Sequence, residues 1–263
     1  MADRLFLYID ILGFSQLVAD RSRAEEVYSI IDELNVFSHA PNFKCLVFSD
    51  TIVVYSDFDW ATDRDRSPSI MWMCEFAQDL FYRLIGRDIH FRAILTVGDF
   101  QHSTLKHIEA FFGTALVRTY VHEKNIVCMG LFMDNALTSY SDIFKTTPYD
   151  DTYHFVHIMQ TLGPISFPYA DYPLPTDLIL PLGTEYLHAY DFVYLRNIYG
   201  HMNDTSILPR IRAKYLGTWQ MLRTASANLL DAFEKGGLDP RAICDFDWSE
   251  AMRRVGAADG FHG

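Results

Sequence analysis

The chain has 263 residues, which by length alone suggests one or two domains. Hydrophobic residues make up 49 % and charged residues 21 %, which excludes a disordered or collagen-like polymer, and 20 Phe with 15 Tyr can furnish a large core. The formal charge of −12 argues against general nucleic-acid binding, which rests on cationic contacts to phosphate. It leaves room for a small anionic substrate held through a metal ion. No run approaches the roughly 20 apolar residues of a membrane helix. Met1-Ala2-Asp3-Arg4-Leu5 lacks a basic region ahead of a long apolar run, so no secretion signal is expected and the protein reads as cytoplasmic. Cys45, Cys74, Cys128 and Cys244 are scattered, with no close pair to suggest zinc, and read as reduced thiols.

Leu5 to Ile9 is a short apolar run ending at Asp10, which predicts a buried strand. Val27, Ile30, Ile31, Leu34 and Phe37 recur at helical spacing, so a helix is expected from near Ser15 to about Phe37, with Pro41-Asn42 breaking it. Cys45 to Tyr55 holds two β-rich runs around Ser49-Asp50-Thr51 and reads as a tight hairpin. Asp57 to Arg66 reads as a loop. Ser67-Pro68 suits a helix start that continues to Gly86. His90 to Val97 reads as a strand, Gly113 to Lys124 as a helix and Ile126 to Met133 as another strand.

This order predicts an α+β fold, a ferredoxin-like βαββαβ core with an antiparallel sheet and its helices on one face. Beyond Pro148, Tyr153 to Met159 reads as an edge strand and the Pro-rich stretch 163–183 as a surface loop. Asp204 to about Lys235 reads as a helix, and the aromatics Tyr190, Phe192, Tyr194 and Tyr199 as core. The last ten residues are expected to fray. The expected division is a catalytic core over 1–147 and, over 148–263, an edge strand, loop and helical C-terminal extension.

Asp10 closes the first strand and Asp50 sits at the hairpin tip. In a ferredoxin-like sheet the first strand lies at the centre, beside the first strand of the hairpin, which brings the two carboxylates to one edge. Alone, Asp10 reads equally as a capping or turn aspartate, and Asp50 as an ordinary turn aspartate. Together they suit hard divalent cations, which take oxygen ligands. Two such ions about 3.5–4 Å apart can clamp the attacking and leaving oxygens of a phosphoryl transfer. Gly13-Phe14-Ser15 opens a helix, whose free N–H groups favour phosphate.

Here the residues carry a resemblance. Phe6-Leu7-Tyr8-Ile9-Asp10-Ile11-Leu12-Gly13-Phe14-Ser15 resembles the first metal motif of class III nucleotidyl cyclases, and Val47-Phe48-Ser49-Asp50-Thr51 the second. Phe91 to Gly98 resembles their next core strand. Phe112 to Glu123 resembles the helix that follows, with Gly opening and Glu closing the segment. The resemblance spans about residues 5 to 135. It implies metal ligands at Asp10, the Ile11 carbonyl and Asp50, and phosphate binding at Gly13, Phe14 and Ser15. It also implies Mg²⁺ or Mn²⁺, two ions per site, and a homodimer with shared active sites.

The sequence departs from the family at the purine-reading positions, which hold Leu46 and Ala110, and at the transition-state Asn and Arg positions, which hold Val117 and Val121. A pocket lacking those polar groups selects purines poorly. Arg92 and Arg118 are candidate replacements, because a guanidinium holds phosphate bidentately. Arg118 reads more simply as a solvated helix residue, and Arg92 equally as half of a structural ion pair. Phe48 and Tyr55 are candidates for narrowing the base pocket, or are core residues.

Metal aspartates without purine readers resemble the pyrimidine cyclases of the bacterial Pycsar anti-phage system. That resemblance implies a nucleoside triphosphate substrate, UTP or CTP, and a cyclic nucleotide product read by a separate effector. UTP is favoured because no added carboxylate is present to read the amine of cytosine. Three other readings stay open: a divergent purine cyclase, a catalytically inert cyclase-like binding or dimerisation domain, and a palm-type nucleotidyltransferase that joins two nucleotides. His102, His107 and His122 are spaced irregularly and read as surface or interface residues, and no P-loop or G-x-S-x-G occurs.

Overall fold

The computed structural model describes residues 2–34, 40, 42–166, 171–178 and 185–256. The apolar first run becomes β1 (Asp3–Ile11). The expected long helix splits into α1 (Phe14–Leu17) and α2 (Arg21–Asp32), because Asp20 adopts extended backbone and its carboxylate accepts from the Ser22 N–H, starting a new helix. The expected end of that helix, near Phe37, lies outside the described residues. The hairpin is β2 (Phe43–Phe48) and β3 (Thr51–Ser56), with Ser49-Asp50 as its two-residue turn and Ser49 at φ 59°. A 3-10 turn over Trp60–Thr62 interrupts the expected loop, and α3 (Arg66–Ile85) begins one residue before the expected cap.

Next come β4 (Phe91–Asp99), a ribbon of β5 (Gln101–Thr104) and β6 (Glu109–Phe112), α4 (Thr114–Glu123) and β7 (Gly130–Asp134). The ribbon was not expected, since its residues carry little apolar alternation. Then follow β8 (Thr146–Pro148), β9 (Tyr153–Val156), α5 (Leu162–Ser166), α6 (Glu185–Asn203), α7 (Pro209–Lys235) and α8 (Ser249–Gly256). Among the described residues, no helix is long and apolar enough to cross a membrane.

The chain forms two compact units, one of residues 1–80 and 90–158 and the other of 81–89 and 159–263. The first is a mixed α+β unit on a mostly antiparallel seven-stranded sheet of order β2-β3-β1-β4-β7-β9-β8, in which, among the described residues, only β4 and β7 run parallel. The sheet continues past residue 147, where the core was expected to end. The expected edge strand, β9, is internal, because β8 pairs along its outer side. The neighbour of β1 is β3, the second strand of the hairpin, and not the first as expected.

Side chains alternate across the sheet. Leu5, Leu7 and Ile9 point to one face and are fully buried. Ala24, Val27, Ile30 and Ile31 of α2 are buried at helical spacing, as are Ile70, Met73, Ala77 and Leu80 of α3. Phe6, Tyr8 and Asp10 point to the other face. There Phe6 and Tyr8 pack with Val53, Tyr55, Phe100 and Ala115, and α4 lies against β4 and β1.

Gly113 is the hinge into α4. Its φ of 152° and the approach of the Asp99 carbonyl leave no room for a Cβ, so only glycine fits.

The second unit is helical. Phe192 of α6 meets Trp248 edge to face, with ring centres 5.1 Å apart, and lies tilted against Phe233 of α7 at 5.5 Å, with Leu195, Ile198, Leu229 and Leu230 buried around them. The expected helix over 204–235 begins at Pro209. The aromatics assigned to core lie on α6, an element the sequence reading did not resolve. Its period is masked because apolar and aromatic residues occur on several sides.

The same unit encloses a carboxyl group. Asp191 is fully buried and accepts hydrogen bonds from the Tyr82 hydroxyl at 3.1 Å and from Thr161. Desolvation pushes its pKa up to about 7 despite those bonds. The expected surface loop over 163–183 is only partly described, with α5 at its start and a 3-10 turn at Thr176–Leu178. The expected fraying of the C-terminus falls largely outside the described residues.

Candidate active site

Strand register arranges the exposed end of the β1 sheet face. Phe48, Thr51, Asp10 and Arg92 form one row across β2, β3, β1 and β4. The next row inward is Leu46, Val53, Tyr8 and Ile94, and the one after is Lys44, Tyr55, Phe6 and Thr96. Asp10 therefore projects from the centre of the sheet at its last row.

The hairpin tip closes on the same point. The Ile11 N–H donates to the Asp50 carbonyl at 2.9 Å, and the Leu12 N–H donates to the His90 carbonyl at 2.9 Å. Two backbone bonds thus clamp the end of β1 between the hairpin turn and the start of β4. They place Asp10, Ile11 and Asp50 at one edge, although the strand beside β1 is not the one expected, because the turn belongs to both hairpin strands. Asp10 and Asp50 are partly exposed. Carboxylates and backbone carbonyls are hard oxygen donors, the kind that Mg²⁺ and Mn²⁺ take, so the residue types at this end of the sheet fit such an ion.

Gly13 follows at φ 73°, a left-handed turn that glycine adopts without strain. It directs the chain into α1. The first N–H groups of a helix have no partner within it, so those of Phe14 and Ser15 are donors at the mouth of the site.

Two residues of this edge carry no assigned role in the sequence reading. Tyr8 is buried, and its hydroxyl lies 3.5 Å from Thr51 Oγ1. Burial raises its pKa, the bond to Thr51 opposes the rise, and the negative charges of Asp10 and Asp50 add to it. The result is a neutral phenol on the same face of β1 as Asp10. Alternation two residues before Asp10 was the signal that could have found it. Glu123, the last residue of α4, is buried and pairs with Arg92.

Arg92 is itself buried. Its Nη2 lies 3.7 Å from Asp10 Oδ2 and pairs with Glu123, while Nη1 donates to the Ile126 carbonyl. Desolvation lowers its pKa and the Asp10 charge opposes this, yet a guanidinium stays protonated in proteins. Of the two readings of Arg92, the geometry displays the ion pair.

The remaining candidates gather elsewhere on the same face. Arg118 donates to the Val97 carbonyl at 2.9 Å and reaches Asp134 Oδ2 at 3.2 Å, beside Thr96. Thr96 pairs with Phe6, four residues along β1 from Asp10, so Arg118 is anchored about 13 Å from the carboxylate row.

Tyr55 occupies that same far row. Its hydroxyl is bonded to His102 Nδ1 at 2.8 Å, and His102 Nε2 to Glu109 at 2.7 Å. Ala110 pairs with Ser103 in the adjoining ribbon. Leu46 lies between the two groups, packed on the Phe6–Tyr8 cluster. Phe48 is 45 % exposed at the carboxylate end. One chain therefore brings together Asp10, Ile11, Asp50, Arg92 and Gly13–Ser15. It holds Tyr55, Ala110 and Arg118 apart from them. Val117, Tyr120 and Val121 of α4 and Phe111 and Phe112 of β6 add exposed apolar surface.

No family model matches the sequence, and no curated protein matches it. Solved structures do. The catalytic core of a rhodopsin-guanylyl cyclase with converted specificity, in complex with ATPαS, is 13 % identical, covering 59 % of this chain and 95 % of that one at a TM-score of 0.46. The guanylate cyclase domain from Catenaria anguillulae, in complex with GTP, is 10 % identical over 59 % and 96 % at 0.44. The adenylyl cyclase CyaB from P. aeruginosa is 9 % identical over 59 % and 92 % at 0.41.

Proposed function

We propose that this protein is a metal-dependent nucleotidyl cyclase acting on a pyrimidine nucleoside triphosphate, UTP before CTP, to give a 3′,5′-cyclic nucleotide and pyrophosphate. The observation that carries the reading is the closure of the Asp50 turn on the end of β1, which brings the backbone of Asp50 to that of Ile11, next to Asp10 and just ahead of the start of α1. Asp10, Asp50 and the Ile11 carbonyl would hold Mg²⁺ or Mn²⁺. When bound, such ions neutralise triphosphate charge and acidify the attacking hydroxyl.

The chain itself supplies orientation. Backbone N–H groups of Phe14 and Ser15 hold the phosphates, with Gly13 providing the turn that aims them. The sheet face then presents the ribose 3′-hydroxyl to the α-phosphorus. Attack within one molecule avoids the entropic cost of bringing two reactants together.

The positions that read a purine in the family carry no charge in this chain. Leu46, Tyr55 and Ala110 offer no charged group to the edge of a purine, and the aromatic bulk of Tyr55 and Phe48 narrows the space. The separation of Arg118, Tyr55 and Ala110 from the carboxylates supports a homodimer in which the far end of one copy completes the metal end of the other. The exposed apolar residues of α4 and β6 supply a surface for it. In this reading Arg118 meets the phosphates of the partner's site, the product acts through a separate cyclic-nucleotide-binding effector in phage defence, and the protein works in the cytoplasm.

The test is substitution at the carboxylates. Asp10→Ala and Asp50→Ala should each abolish Mn²⁺-dependent turnover while the far-ultraviolet circular dichroism stays that of the parent. Activity that survives Asp50→Ala in a folded protein would overturn the reading.

A further inference from the structure

One buried cation serves two buried or half-buried carboxylates at the end of the sheet. Arg92 faces Asp10 across the β1–β4 pair at 3.7 Å, and the same Nη2 pairs with Glu123. The side chains of Arg92 and Glu123 are 6 % and 8 % exposed, so solvent screens this contact little. The Nη1 bond to the Ile126 carbonyl, just beyond α4, adds a second tether on the Glu123 side. The guanidinium is thus drawn toward the end of α4, and its approach to Asp10 is longer than a hydrogen bond.

Counting charge, one guanidinium and two carboxylates leave the trio at −1. Without Glu123 the same guanidinium would have Asp10 as its counter-charge, and the pair would be neutral. A carboxylate engaged by arginine is a poor ligand for a divalent cation, since the two compete for the same oxygens.

Resting on the reading of Asp10 and Asp50 as metal ligands, we infer that Glu123 is a positioning residue for the metal site, drawing the Arg92 guanidinium toward the end of α4 and so weakening its competition with a cation for Asp10. The seating of α4, which also carries Arg118 and the exposed Val117 and Val121, is then coupled to metal affinity at the far end of that helix.

The experiment reads Mn²⁺ binding directly, by electron paramagnetic resonance of the free ion, with no substrate present. The parent protein should bind Mn²⁺, and Asp10→Asn or Asp50→Asn should abolish binding. A parent that binds no Mn²⁺ would overturn the metal-site reading itself and this inference with it. Glu123→Gln should weaken binding on the order of tenfold, as a charge-assisted contact shifts from Glu123 to Asp10. The double variant Arg92→Gln with Glu123→Gln removes the competing cation and should restore parental affinity or exceed it.

A Glu123 that acts only in packing gives a different pattern. The melting temperature falls without loss of Mn²⁺ affinity, or the double variant binds as weakly as the single one. Either result would overturn the inference. If Glu123→Gln does not fold, the double variant carries the test, because it leaves no unpaired buried charge. Affinity below that of the parent would then count against the inference.

Discussion

Asp191→Asn isolates the buried carboxyl of the helical unit. In the folded protein its pKa stands at about 7, raised by complete burial against the opposing bonds from Thr161 and Tyr82, while the ordinary value is 3.8. Because the folded pKa is the higher one, the unfolded chain releases the proton first as pH rises. The contribution of Asp191 is therefore full below about pH 4 and falls through the interval up to about 7, above which it is flat. At 1.36 kcal/mol per unit, an interval of roughly three units corresponds to about 4 kcal/mol.

His157 and His188 work in the opposite direction. Burial lowers both to about 4, so their contribution grows as pH rises from there toward 6.5. The informative quantity is thus the difference between variant and parent, measured by urea unfolding at half-unit steps from pH 4.5 to 8. Asparagine keeps an acceptor for Tyr82 and Thr161 and cannot ionise. The variant should gain stability relative to the parent as pH rises, with the gain levelling off near pH 7. A difference that does not change with pH would refute the assignment of a protonated Asp191.

Two further outcomes follow from the geometry. Asp50→Ala and Arg118→Ala should each be inactive alone, yet an equimolar mixture allowed to exchange subunits should recover about a quarter of parental activity, since half the dimers are mixed and each holds one intact site. A mixture with no activity would contradict the shared site. Gly113→Ala should cost more than about 3 kcal/mol in a denaturant titration, because the added carbon meets the Asp99 backbone at a φ that other residues avoid. A loss below about 1 kcal/mol would show that the turn into α4 can relax.

The carboxylate edge was legible in the sequence because both aspartates sit where short β-rich runs end, and strand ends and hairpin tips are the parts of a sheet that face outward. The strand beside β1 is β3 and not β2 as the sequence suggests, yet the backbone of Asp50 still meets the end of β1, since its turn is shared by β2 and β3. Glu123 was not legible as a partner of Arg92. The two are 31 residues apart on different elements, and only the docking of α4 brings them together. The β5–β6 ribbon escaped because Gln101 to Thr104 is polar throughout, so no period marks it. The break between α1 and α2 was masked by an apolar spacing that runs on through the second helix, whereas the cap at Asp20 is a local hydrogen bond. α6 escaped for the converse reason, as its buried face is wide and its aromatics do not fall on a single stripe.

The central claim is the reaction, and the most direct measurement offers the purified protein each of the four ribonucleoside triphosphates separately with Mn²⁺ and identifies the products by mass spectrometry. The account predicts a cyclic pyrimidine monophosphate with pyrophosphate, absent from Asp10→Ala and Asp50→Ala. Cyclic AMP or cyclic GMP as the main product would contradict the pyrimidine assignment. A dinucleotide, or no product from any of the four, would contradict the cyclase reading as a whole.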